Sequence, residues 1–267
     1  MEDTKQILDW YITAGVNETC ADEPFVALNL HAAEKPSESE NEAKTEVYFQ
    51  YASPARPAIS DLSQINLAAC KSAQDICDKA QTLDDLRAMV EEFEGCSLKF
   101  SANSTVFGYG NPQAEVMIVG EAPGADEDRL GEPFVGRSGH LLDKMLATID
   151  LRREDCYITN ILPWRPPGNR TPTSEEVTVC LPFLKRQIEL VAPKIIFILG
   201  RSAANALLDN ADSISSLRGH FIDYVSKKGD IIPTLSSFHP AFLLRTTSQK
   251  AKSWSDLLRL KRKLKEL

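Results

Sequence analysis

Three stretches of this sequence concentrate the groups that do chemistry. The first, residues 116–146, runs from an apolar segment through a loop carrying Gly120, Gly124, Gly131, Gly136 and Gly139. It ends in Leu141, Leu142, Met145 and Leu146 at helical spacing. Glycines just after a strand let a backbone approach a ligand where a Cβ would clash, so the loop reads as a ligand site, with a long surface loop as the alternative. The second stretch, residues 159–173, presents Asn160, Asn169 and Arg170 on chain stiffened by Pro166, Pro167 and Pro172. The third, residues 237–245, puts His239 just past another apolar segment.

Positioning these groups requires a scaffold, and its pattern is regular beyond Cys96. Short apolar runs predict strands over 116–119, 156–162, 195–199 and 231–236. Helical spacing predicts helices over 138–150, 174–191, 202–208 and 249–267. Helices between strands imply a parallel sheet covered on both faces, and ligands in such sheets bind beyond the carboxyl ends of the strands. All three loops then fall on one rim. Upstream, residues 61–77 and 82–93 read as two helices leading into the main domain, the second opened by Thr82 with Asp84 and Asp85 in its first turn. A short amphipathic helix is predicted over 5–14. Residues 32–58, rich in Glu, Ser, Pro and Ala, read as a flexible linker. The division expected is an acidic extension over 1–60 and one catalytic domain over 61–267.

The net charge of -8 hides an asymmetry. Residues 1–95 carry 19 acidic and seven basic side chains, whereas residues 96–267 carry 19 acidic and 23 basic. From Ala241 onward eight bases face two acids, a balance that suits either a polyanion partner or a solvated helix face. No apolar run approaches the length of a membrane span, and residues 1–5 lack the layout of a signal peptide. The six cysteines, Cys20, Cys70, Cys77, Cys96, Cys156 and Cys180, form no Cys-x-x-Cys and no regular framework, so reduced thiols are expected.

Five motifs sit in these stretches: Gly120-Glu-Ala-Pro-Gly124, Gly131-Glu-Pro-Phe-Val-Gly136, Thr159-Asn160, Arg165-Pro-Pro-Gly-Asn-Arg170 and His239-Pro-Ala-Phe-Leu-Leu-Arg245. In order and spacing, over residues 90–260, they resemble the uracil-DNA glycosylase superfamily and, within it, the family 4 enzymes of bacteria and archaea. The resemblance implies a three-layer α/β/α sandwich with a short, mainly parallel central sheet. It also implies an enzyme that extrudes a base from DNA into a pocket. Gly120 and Phe134 are then substrate-binding, Phe134 by stacking on the base. Asn160 reads the uracil edge, since a side-chain amide offers one donor and one acceptor. Catalysis falls to His239, donating to the base oxygen where charge develops, and to Glu121 beside the sugar. Asn169 either helps to position water or serves as an N-cap or turn residue. Glu127 either forms the wall that excludes the thymine methyl or is a solvated acid. Arg170 and Arg245 are expected on phosphates, with Leu243 and Leu244 as wedges into the gap left by the flipped base.

One departure from the resemblance is large. Family 4 enzymes hold a four-iron, four-sulfur cluster on four cysteines, and the corresponding positions here read Phe93, Cys96, Trp164 and Cys180. Such clusters need four ligands, usually thiolates. With Cys96 and Cys180 the only two retained, no cluster, no other metal and no other cofactor is expected. The expectation is a monofunctional uracil-DNA glycosylase of base-excision repair, using water and acting on single- or double-stranded DNA. It is expected to be monomeric, cytoplasmic and nucleoid-associated, with no membrane partner. The alternatives are a glycosylase with a shifted base range, such as xanthine or hypoxanthine, and an inactive DNA-binding module of the same fold.

Overall fold

The computed structural model describes residues 59–267, with side-chain surroundings from residue 67 onward. The helix predicted over 5–14 and the linker over 32–58 lie outside these residues. Two lead-in helices, α1 (Ile59–Lys79) and α2 (Leu83–Glu92), come first. Helix α2 starts where its sequence dictates. The Thr82 hydroxyl accepts from the Asp85 amide at 3.1 Å, and the Asp85 carboxylate accepts from the Thr82 amide at 3.0 Å, a reciprocal cap that satisfies two otherwise orphaned donors.

The rest of the chain alternates strand and helix. In order these are β1 (Tyr109–Gly110), β2 (Val116–Gly120), α3 (Ala125–Leu130), α4 (Arg137–Ala147), β3 (Cys156–Asn160), α5 (Ser174–Val191), β4 (Ile195–Leu199) and α6 (Arg201–Leu208). Then follow α7 (Ile214–Leu217), β5 (Phe221–Val225), β6 (Ile231–Ser237), α8 (Pro240–Arg245) and α9 (Lys250–Glu266). The strands form one sheet in the order β1-β3-β2-β4-β6-β5. Its inner four strands are parallel, and its two edges are antiparallel.

Every residue of β2, β3 and β4 is buried, which is what continuous apolar runs require when helices cover both faces of a sheet. Met117, Val119, Tyr157, Ile196 and Ile198 point to the layer containing Leu86, Phe183 and Ile188. Val116, Ile118, Ile158, Ile195 and Phe197 point to the layer containing Leu142, Met145 and Leu257. The sandwich is therefore the one expected, an α/β fold of three layers. Among the described residues no helix is long and apolar enough to cross a membrane.

Three features differ from the pattern reading. The edge strands β1 and β5 were not anticipated; β1 has two residues, and β5 is interrupted by the exposed Asp223, so neither shows an unbroken apolar run. Helix α3 occupies part of what reads as a loop. Strand β3 stops at Asn160 rather than at residue 162, because the Ile161 and Leu162 amides turn to the carbonyls of Gly120 and Glu121 at 3.0 and 3.2 Å. That turn ends β2 and β3 level with each other, Gly120 beside Asn160 in the register.

Candidate active site

The level ends of β2 and β3 make the floor of a cavity of about 450 Å³ that is lined, among others, by Glu121, Glu127, Phe134, Asn160, Asn169 and His239. The three loops expected on one rim do converge there. Gly120 lies beneath it, and a Cβ at that position would run into both the Asn160 amide oxygen and the Phe134 ring. Asn160 is 5% exposed, yet its side-chain amide has no partner among the described residues. An amide that opens onto a cavity floor keeps its donor and its acceptor available to a ligand.

Phe134 forms one wall. Its backbone takes a φ of +55°, a left-handed conformation that costs a phenylalanine about 1–3 kcal/mol. Gly139 makes this possible, since the first turn of α4 passes so close that a Cβ there would collide with the Phe134 carbonyl. The ring ends 5.6 Å from the His239 imidazole, centroid to centroid, at an interplanar angle of 28°.

His239 follows β6 and caps α8, with Pro240 as the first helical residue. Its Nδ1 accepts the Ala241 amide at 3.1 Å, so the proton of a neutral imidazole resides on Nε2, the nitrogen left to act as a donor. Burial pushes the pKa down to about 4, helped by the nearby Arg245 cation, and the ring is neutral at physiological pH. Glu121 also lines the cavity, and its carboxylate makes no hydrogen bond or ion pair among the described residues.

Glu127 is not a solvated acid. It is 7% exposed, and its carboxylate accepts the amides of Gly124, Val135 and Gly136 at 3.1, 3.0 and 2.9 Å. One side chain thus ties the first glycine motif to the second while lining the cavity. Asn169 sits at the rim with a φ of +54° and accepts from Arg165 Nε at 2.7 Å. It therefore has a turn role whatever it does to water.

The four expected DNA contacts divide differently from the sequence reading. Leu243 is fully buried against the core of the α4 and α9 layer and is no wedge; only its neighbour Leu244, 37% exposed, faces outward. Arg170 is held by Glu176 through two bonds of 2.9 and 2.6 Å, so its guanidinium already has a carboxylate partner. Arg245 lines the cavity and makes no ion pair among the described residues. Arg137 and Ser138, which the motif reading passed over, line the neighbouring cavity with Leu244 and Arg245; their signal was their place at the start of α4 just beyond Gly136.

The positions that match cluster ligands in the resembled family lie in the other helical layer. Phe93 stacks on Trp164 with centroids 6.4 Å apart and meets Phe183 edge-on at 5.1 Å. Trp164 is 1% exposed, and its indole donates to the Thr105 hydroxyl at 3.0 Å. Cys96 and Cys180 are buried in the same hydrophobic cluster as Phe93, Trp164 and Phe183. Two thiols and two packed rings do not supply the four ligands of such a cluster. Among the described residues no three His, Cys, Asp or Glu side chains are grouped to hold a metal ion.

Comparison with known proteins bears on the same residues. The model of the uracil DNA glycosylase superfamily matches residues 107–258. The type-4 uracil-DNA glycosylase of Archaeoglobus fulgidus is 42% identical over 184 residues, 67% of this chain and 92% of that protein. That of Thermotoga maritima is 40% identical over 173 residues, 64% of this chain and 88% of the relative. A type-5 uracil-DNA glycosylase of Pyrobaculum aerophilum is 32% identical over 148 residues, 50% of this chain and 64% of its own.

Proposed function

The chain belongs to the uracil DNA glycosylase superfamily, and from that premise we infer that it is a uracil-DNA glycosylase, an N-glycosyl hydrolase of DNA repair. The observation that carries the assignment to these residues is the open amide of Asn160 on a cavity floor walled by Phe134 and His239. Uracil presents an N–H donor and an adjacent carbonyl acceptor on its pairing edge, the complement of a carboxamide in one of its two orientations; cytosine presents the reverse and needs the other. Phe134 stacks on the extruded base.

Hydrolysis breaks the bond between the sugar carbon C1′ and base nitrogen N1. The bonding pair leaves with uracil, so negative charge grows on the base and positive charge on the sugar. His239 Nε2–H donates to the base oxygen as that charge develops, and a neutral donor can do this without transferring its proton. The Glu121 carboxylate faces the electron-poor sugar and accepts a hydrogen from the incoming water, whose oxygen bonds to C1′. Glu127 narrows the pocket by holding the loop that would meet a thymine methyl. Arg245 meets phosphate, and Leu244 fills the gap in the stack. The protein works as a monomer.

Single- and double-stranded oligonucleotides containing one uracil, incubated with the purified protein, should release free uracil and leave an abasic site, with thymine and cytosine untouched. DNA binding with no base release overturns the assignment in favour of an inactive module. Release of hypoxanthine or xanthine in preference to uracil overturns the base preference alone.

We also propose that the protein needs no iron–sulfur cluster, supported by the packing of Phe93, Trp164 and Phe183 where ligands would stand. Protein purified without oxygen should be colourless and active. A brown preparation with about four irons per chain would refute this.

A further inference from the structure

Phe134 owes its position to a residue outside the cavity. We propose that Arg153 is a positioning residue for base recognition, gripping the peptide that carries Phe134 from the side opposite Glu127. The assignment rests on the base-pocket reading of Phe134. Arg153 stands just before β3, 19 positions along the chain from Phe134, and its side chain is only 17% exposed. One terminal nitrogen donates to the Phe134 carbonyl at 2.6 Å, Nε donates to Asp143 on α4 at 2.9 Å, and the guanidinium lies 5.3 Å from the Tyr109 ring centroid. Two bonds at fixed angles and a ring face leave it little freedom.

The geometry of the gripped unit gives this contact its effect. The carbonyl of Phe134 and the amide of Val135 belong to one planar peptide. Arg153 holds its oxygen, and Glu127 holds its N–H at 3.0 Å. A cation on one edge and an anion on the other fix the rotation of that plane, which sets ψ of Phe134, and so anchor the C-terminal side of a residue whose unfavourable φ of +55° aims its ring at His239. Without the cation, the residue can relax to extended backbone, which carries the ring away from the base.

Arg153→Ala is the direct test, with Arg153→Lys to restore charge and one donor without the fork. Single-turnover uracil release by Arg153→Ala should fall about tenfold, as expected when a strained conformer is no longer enforced, and inhibition by free uracil should weaken by a similar factor. Binding to uracil-free DNA should be unchanged, and Arg153→Lys should recover part of the loss. In a Phe134→Ala background Arg153→Ala should add almost nothing, because there is no ring left to aim. Equal losses in both backgrounds, or release within about twofold of wild type, overturn the proposal.

Amide hydrogen exchange gives a readout independent of activity. Exchange at Val135 and Gly136 should speed up about tenfold in Arg153→Ala relative to wild type. If wild type releases no uracil but this exchange rises, the catalytic assignment falls and the grip stands. Unchanged exchange sinks the grip.

Discussion

The cavity at the strand ends and the aromatic cluster under α5 are built from the same short piece of chain, yet they follow opposite rules. Asn160 opens the cavity floor and Trp164, four residues later, is sealed in the cluster. Around Asn160 are an amide and a carboxylate that have no partner among the described residues and a phenylalanine in a left-handed conformation. Around Trp164 the rings interlock and the one indole donor is bonded. At the cavity, strain and open polar groups stand where a ligand can complete them; in the cluster, filled volume holds the chain, although Tyr157 and Gln187 in the same layer keep buried oxygens without partners among the described residues.

That contrast breaks if stability and chemistry prove inseparable. Trp164→Ala should have the largest effect, about 3–5 kcal/mol of unfolding free energy in a denaturant titration, through the cavity it leaves. Well below its melting temperature the variant should still release uracil at near the wild-type rate. A catalytic loss without a stability loss would put Trp164 in the active site instead.

The mirror experiment lies in the cavity. Asn160→Ala and His239→Ala should each lower single-turnover base release about 10²–10³-fold, the usual cost of removing one donor to a developing charge. Their unfolding free energies should move by only about 1 kcal/mol, His239→Ala through loss of the α8 cap. A collapse of stability in either would erase the contrast.

A pH dependence should separate His239 from an ordinary histidine. With its pKa pushed from 6.5 down to about 4, the folded state binds no proton there over an interval in which the unfolded chain does. Stability should therefore fall as pH drops from 6.5 towards 4 and lose nothing further to this residue below that. His239→Ala should flatten that segment of the curve. Base release should show no break near 6.5 and should fall only as the imidazole charges near 4.

Much of this was legible because it is local. Continuous apolar runs announced β2 and β4 as doubly covered strands, and Thr82 with Asp84 and Asp85 announced a helix start that the structure keeps. The three loops fell on one rim because parallel strands leave no other choice. The rest depends on partners distant in sequence. Helix α3 has too few apolar positions to show a period and starts on Gly124, whose amide is met by Glu127. Strand β5 exists by pairing with β6, not by its own pattern. Leu243 and Leu244 are chemically identical, and only the rotation of α8 sends one into the core and the other outward. Arg153 carried no signal, since nothing in the chain marks a contact with a backbone carbonyl so far upstream.

The matched ends of β2 and β3 bear on how this protein can change. Gly120 and Asn160 are register partners in adjacent hydrogen-bonded strands, so their spacing is fixed by the sheet and cannot be retuned by loop substitutions. Each wall, by contrast, arrives on its own loop. Admitting a different base with the same pairing edge is therefore a matter of exchanging walls around a constant floor, and directed evolution of such a preference should find its gains in residues 121–139 and 239–245 while residues 120 and 160 stay as they are.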